Sequence, residues 1–147
     1  MSTDRLSLRV ANQLPEIARL ADRVAAFCAE RGVPAAVAYR LNLALEEILT
    51  NTINYGYADS GSHEIAIELE QTAEGVTVEI DDDARPFDLT QVPAPDLAAP
   101  IEQRPIGGLG LHFVRTMMDE VRYRRDGSRN RVTLVKRFMP GGATPGR

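Results

Sequence analysis

Polar and apolar residues alternate over residues 5–10, which puts Leu6, Leu8 and Val10 on one face and predicts an opening strand. The period then changes. Ile17, Leu20, Ala21, Val24, Phe27 and Cys28 recur at helical spacing. Pro15 can open that helix, where a first-turn N–H is spare, and Gly32 can close it. Pro34 opens a second helix, predicted to run to about Tyr55. Its core stripe is Leu41, Ala44, Leu45, Ile48 and Thr52, and Gly56 ends it. Alternation returns over residues 63–69 and 76–80, and these runs predict an antiparallel hairpin turning at Ala73-Glu74-Gly75. A third helix is predicted from Gly108 to about Glu120, with Leu111, Val114, Met117 and Met118 inward. Strands over residues 121–125 and 131–138 follow, joined across Asp126-Gly127. This order holds too few strand–helix–strand units for a doubly wound sheet. It predicts an α+β fold: a two-layer α/β sandwich whose sheet is mixed, mostly antiparallel, with helices on one face.

Two stretches break the pattern. Residues 83–106 hold five prolines and little periodicity, as functional loops do. Residues 139–147 read as a flexible C-terminal tail. The 147 residues fit one core, so a single domain is expected over residues 1–138. A formal net charge of -4 argues against direct nucleic-acid binding, which favours a basic surface, and against an anionic membrane partner. No apolar run approaches the ~20 residues of a membrane span. The first residues show no secretory apolar segment, and the single cysteine, Cys28, falls on a helical core stripe. A cytoplasmic protein without structural zinc is expected.

Three segments carry candidate chemistry. On the second helix Glu47 and Asn51 stand one turn apart on a side stripe, and Glu46 is rotated away by ~100°. The amide oxygen of Asn51 suits a hard cation beside phosphate oxygens. The Glu47 carboxylate could take a proton from an attacking hydroxyl. A solvated helix face fits the same spacing. Asp81, Asp82 and Asp83 end a strand, where a carboxylate can accept from an adenine amine, form half of a cation site or simply make a polar turn. The third segment, Gly107-Gly108-Leu109-Gly110-Leu111, runs straight into the third helix. Its glycines allow close backbone approach, and a helix N-terminus favours phosphate. It lacks the Gly-Lys-Ser/Thr ending of a P-loop, and a tightly packed helix start reads equally well. His63, expected to be exposed, and His112 are read as structural.

In this order and on these elements, the three segments resemble the GHKL (Bergerat-fold) ATPase superfamily. More closely, they resemble the RsbW-like anti-sigma-factor serine/threonine kinases of bacteria. The resemblance covers about residues 6–138. The asparagine box of that family is similar to residues 43–57, which implies that Glu47 is the catalytic base and that Asn51 binds Mg²⁺ and nucleotide. Its Asp-x-Gly box is similar to Asp82-Asp83-Ala84, followed by Pro86-Phe87-Asp88. Asp82 is then the adenine-reading carboxylate, with Ala84 beside it. Its second glycine box is similar to Gly107, Gly108, Leu109, Gly110 and Leu111, the expected phosphate cradle. Residues 88–106 take the place of the ATP lid. Ala84 departs from the usual glycine and Asn54 from a frequent histidine, and Asn130 aligns with a polar family residue near adenine.

The resemblance implies an ATP-dependent protein serine kinase that uses ATP and Mg²⁺. Such a protein acts in transcription regulation by partner switching. As an anti-sigma factor it holds a sigma factor or another regulator, and it phosphorylates a small STAS-type anti-anti-sigma antagonist. A homodimer is expected. The alternative is a non-catalytic, ATP-gated regulatory binding module of the same fold.

Overall fold

The computed structural model describes residues 4–93 and 108–138. Strand β1 (Arg5–Ala11) leads into helices α1 (Pro15–Glu30) and α2 (Ala35–Tyr55). A hairpin of β2 (Glu64–Gln71) and β3 (Gly75–Asp82) follows, then a 3₁₀ turn over Leu89–Gln91. Helix α3 (Gly108–Met117) and a second hairpin, β4 (Glu120–Asp126) and β5 (Arg129–Arg137), complete the order. Pro15 opens α1 as the sequence predicts, and Gly32, at φ +71°, makes the left-handed turn beyond its end.

The five strands form one sheet in the order β1-β2-β3-β5-β4. Every neighbouring pair is antiparallel, which corrects the expected mixed sheet. The connection from β3 through α3 to β4 does leave those two strands pointing the same way, since each is antiparallel to β5. β5 then folds back into the gap between them, so both contacts become antiparallel. The α+β architecture is otherwise as expected. Alternation sends Ile65, Ile67 and Leu69 of β2, Val76, Val78 and Ile80 of β3, and Val132 and Leu134 of β5 into a buried layer. The opposite face carries Glu68, Glu79, Asp81, Arg131 and Thr133, with ion pairs such as Arg5–Glu68 at 3.0 Å and Arg131–Asp81 at 2.8 Å. Exposed pairs of this kind contribute ~0–1 kcal/mol each, against ~1.5–3 kcal/mol for one buried Leu or Ile, so the apolar face holds the layers together.

α2 is the central helix, packed by α1 on one side and α3 on the other. It therefore buries a wider arc than the predicted stripe. Val37 and Leu49 join Leu41, Ala44, Leu45 and Ile48, while Thr52 is half-buried. α3 stops at Met117, short of the predicted Glu120. The chain there is already paired with β5: the Asp119 N–H donates to Val135 O at 2.8 Å, and Asp119 Oδ2 accepts from the Arg137 N–H at 2.6 Å.

The segment expected to form a lid starts at residue 88, and its first residues pack on the core. Asp88 caps the 3₁₀ turn by accepting from the Thr90 N–H at 2.9 Å, Leu89 is buried, and Arg115 of α3 donates to Thr90 O at 2.7 Å. The first part of the segment is thus docked on the core. The rest of the expected lid, residues 94–106, and the expected tail, residues 139–147, lie outside the described residues. Among the described residues no helix is long and apolar enough to cross a membrane.

Candidate functional site

A cavity of about 310 Å³ opens where α2, the end of β3, the start of α3 and the start of β5 converge. Ile48, Leu89, Leu111 and Val132 give it apolar walls. Two polar side chains sit at its base. Asp82 and Asn130 are 4% and 5% exposed, the two buried polar or charged residues among those described. Strand pairing puts them there, because Asp82 at the end of β3 is the register partner of Asn130 near the start of β5.

Asp82 Oδ1 accepts from Asn130 Nδ2 at 2.9 Å and from the Ala84 N–H at 3.0 Å. Asn130 Nδ2 also donates to Ala84 O at 3.2 Å and Arg85 O at 3.0 Å. Asn130 Oδ1 accepts from Tyr123 OH at 2.6 Å and Arg125 Nη1 at 3.1 Å. Arg125 can only donate, so the Asn130 amide cannot flip without setting its NH₂ against a guanidinium. Asn130 therefore presents N–H to Asp82, and Asp82 is an acceptor. Burial pushes the Asp82 carboxyl above its ordinary range, while the bonds from Asn130 and Ala84 pull it back. Asp82 Oδ2 takes no hydrogen bond from any described residue. One carboxylate oxygen is thus open at the base of an apolar slot. A flat heterocycle with an exocyclic amine fits that arrangement.

α2 supplies the next wall. Asn51 lines the cavity together with Ile48, Thr52 and Tyr55. Glu47, one turn earlier, faces α3, where its carboxylate packs on Gly110. Glu46 is exposed and borders a separate groove between α1 and α2. The adjacent glutamates part as the helical phase predicts. Asn54 is exposed and outside the cavity lining.

Ala84 is buried, and its methyl lies against Gly56. A Cβ built at residue 56 would come within 2.9 Å of Ala84 Cβ and 2.6 Å of Thr52 O. The alanine that departs from the usual family glycine thus fills room that Gly56 leaves. The Arg85 N–H donates to Gly56 O at 2.9 Å, and its guanidinium donates twice to Tyr55 O, at 2.9 and 2.5 Å. The loop after β3 is laced by these bonds to the end of α2.

Leu111 is buried and joins the cavity wall, and Gly108 and Leu109 begin α3. Gly107 lies outside the described residues. Asn51, Asp82, Ala84 and Leu111 are therefore gathered around one cavity, and Glu47 and Gly110 meet a helical turn away along α2. Sequence reasoning undervalued Asn130 and missed Tyr123 and Arg125 behind it. The signal was present only as alternation along β4, because Asn130 stands 48 residues from Asp82.

His63 is half-buried, which corrects the exposed position expected for it. Its ring stacks on Tyr57 at 4.2 Å and pairs with Asp59 Oδ1 at 2.9 Å and Asp83 Oδ2 at 3.1 Å. Those carboxylates, Asp59 first, hold its pKa above the ordinary histidine value. The cluster ties the α2–β2 connection to the residue that follows Asp82. The Tyr57 hydroxyl is buried without a partner among the described residues, and burial pushes its pKa upward.

A family model described as histidine kinase-like ATPase domain matches residues 10–136. The chain is 29% identical over 102 residues to the serine/threonine-protein kinase BtrW of Bordetella bronchiseptica, which covers 69% of this chain and 72% of that protein. It is 29% identical over 86 residues to the serine-protein kinase RsbW of Listeria monocytogenes, 56% of this chain and 55% of that one. The match thus spans about half the length of this second relative. A crystal structure of the RsbU and RsbW domains of Rv1364c from Mycobacterium tuberculosis superposes with a TM-score of 0.60 at 16% identity. It covers 92% of this chain and 32% of that chain, a likeness of fold.

Proposed function

The chain belongs to the histidine kinase-like ATPase domain family, and from that premise we propose an ATP-dependent protein serine kinase that also serves as an anti-sigma factor. One observation carries the reading: the open Asp82 oxygen at the base of an apolar cavity whose wall holds Asn51. Adenine enters between the apolar side chains, and its amine donates to Asp82 Oδ2. Asn130 and the Ala84 N–H hold the other oxygen, so the carboxylate is oriented before the base arrives.

The triphosphate then runs along α2 toward the start of α3, whose N–H groups and dipole favour phosphate. Gly107, Gly108, Leu109 and Gly110 are the proposed cradle. Mg²⁺ suits this donor set, with Asn51 offering a hard amide oxygen, and when bound it neutralises charge on the transferring group. Glu47 accepts the proton of the attacking serine hydroxyl. The serine oxygen bonds to the γ-phosphorus as the bond to the ADP oxygen breaks, leaving phosphoserine and ADP.

Serine as the acceptor is supported by the matched relatives, which are serine or serine/threonine kinases. The STAS-type antagonist, the held sigma factor and the homodimer rest on the family resemblance. Within this reading residues 1–138 form one ATP-binding domain. Incubation with γ-labelled ATP, Mg²⁺ and a STAS-type protein tests it. Label on a serine of that protein, lost in Glu47→Ala, is expected. ATP binding without transfer would leave the non-catalytic, ATP-gated module, and absence of ATP binding would overturn both.

A further inference from the structure

Gly110 lies in the first turn of α3, where alanine is the better helix former. Its surroundings explain the glycine. A Cβ built there would lie 1.8 Å from Oε1, 2.6 Å from Cδ and 3.4 Å from Cγ of Glu47. The Glu47 carboxylate therefore occupies the volume that a side chain at 110 would fill. Gly56 makes the contrast: there the nearest atom is the backbone oxygen of Thr52, at 2.6 Å. At Gly110 all three nearest atoms belong to one flexible side chain, so an alanine could be housed by swinging Glu47 aside. The fold would survive the change and the base would move.

We propose that Gly110 is a positioning residue for Glu47. Its missing side chain seats the carboxylate between α2 and the first turn of α3, where the phosphates and the incoming hydroxyl meet. The inference rests on the kinase reading above and adds to it. A glycine needed only for backbone approach to phosphate is indifferent to the length of residue 47. A glycine that seats the base is not.

That difference sets the test, on wild type, Gly110→Ala, Glu47→Asp and the double variant. At saturating ATP, Gly110→Ala is expected to lower kcat for transfer by about 10²-fold, the scale for a displaced general base. Glu47→Asp shortens the arm by one methylene and withdraws it from residue 110. The double variant is then expected to transfer about 10-fold faster than the product of the two single losses, as contacting residues do when they couple. Thermal melting of the same four proteins reads the contact without activity: Gly110→Ala should raise Tm more in the Glu47→Asp background than in wild type. Either multiplying rate losses or additive melting shifts overturn the proposal. A wild type that binds ATP and never transfers phosphate overturns the kinase reading and with it the base. Additive melting overturns the seating itself, so the two failures read out separately.

Discussion

Replacing Asp82 with Asn makes the sharpest test of how the cavity would read a base. The isosteric amide keeps one acceptor and gains an NH₂. The structure dictates which way it must face, because the Ala84 N–H and Asn130 Nδ2 both donate to the Oδ1 position, at 3.0 and 2.9 Å. The amide oxygen has to stay there. The new NH₂ is then forced into the place of Oδ2 and confronts the adenine amine, donor against donor. A hydrogen bond to a charged group is worth ~1.5–3 kcal/mol. At ~1.4 kcal/mol per decade, ATP affinity should fall by about 10- to 100-fold. Guanine presents a carbonyl at the same edge, so the variant should gain on GTP what it loses on ATP, and the ATP-over-GTP preference should collapse. Calorimetric titration of both nucleotides into both proteins measures this. Stability should move the other way. Burial raises the Asp82 pKa in the folded state, so the ionised carboxylate is the less stable partner of folding. That contribution is most favourable below the unfolded pKa and is lost as pH rises through the folded value. Asp82→Asn, which carries no charge, should therefore melt higher than wild type at neutral pH, with the gap closing in acid. An unchanged ATP affinity in the variant, or equal affinity of wild type for ATP and GTP, would refute the assignment of Asp82.

Three other outcomes follow from the geometry. Glu47→Ala should retain ATP and lose about 10²–10⁴-fold in transfer, whereas the outward Glu46→Ala should change neither in the same radiolabel assay. Gly56→Ala drives a methyl against Thr52 O and Ala84, and such overpacking should cost about 1–3 kcal/mol in chemical denaturation. Ala84→Gly should recover part of that loss. His63→Gln should destabilise most below the unfolded histidine pKa of ~6.5. The pairs with Asp59 and Asp83 raise the folded value, so their contribution fades as pH climbs through it; melting between pH 5.5 and 8.5 should show the difference shrinking.

What was legible in the sequence was local. Alternation at Ile65, Ile67 and Leu69 named a strand and its buried face together, because the side-chain period of a strand is two. Helical phase separated Glu46 from Glu47 before either had a neighbour. What was not legible depends on pairing across distance. The insertion of β5 between β3 and β4 leaves no trace in either strand, so the sheet was expected to be mixed. The same insertion brings Asn130 under Asp82, with Tyr123 and Arg125 behind it. Gly110 was readable as a turn glycine near phosphate, but its contact with Glu47 joins two helices that share no local pattern. Leu89 and Thr90 hid among prolines, and the burial of Leu89 and the bond from Arg115 of α3 to Thr90 O, which dock residues 88–92, join segments far apart in the chain.

The place of β5 has a consequence for how the molecule is made. β3 leaves the ribosome as the outer strand of an unfinished sheet, and its second neighbour, β5, is made after every other described strand. Until then Asp82 lacks the Asn130 donor and the Val132 wall, and β3 shows an unpaired edge of the kind that invites aggregation. A nascent chain halted before Arg129 has no complete base site. On the reading proposed above, nucleotide can then stabilise only chains in which β5 has already paired with β3, so ATP would favour molecules that have closed this part of the sheet.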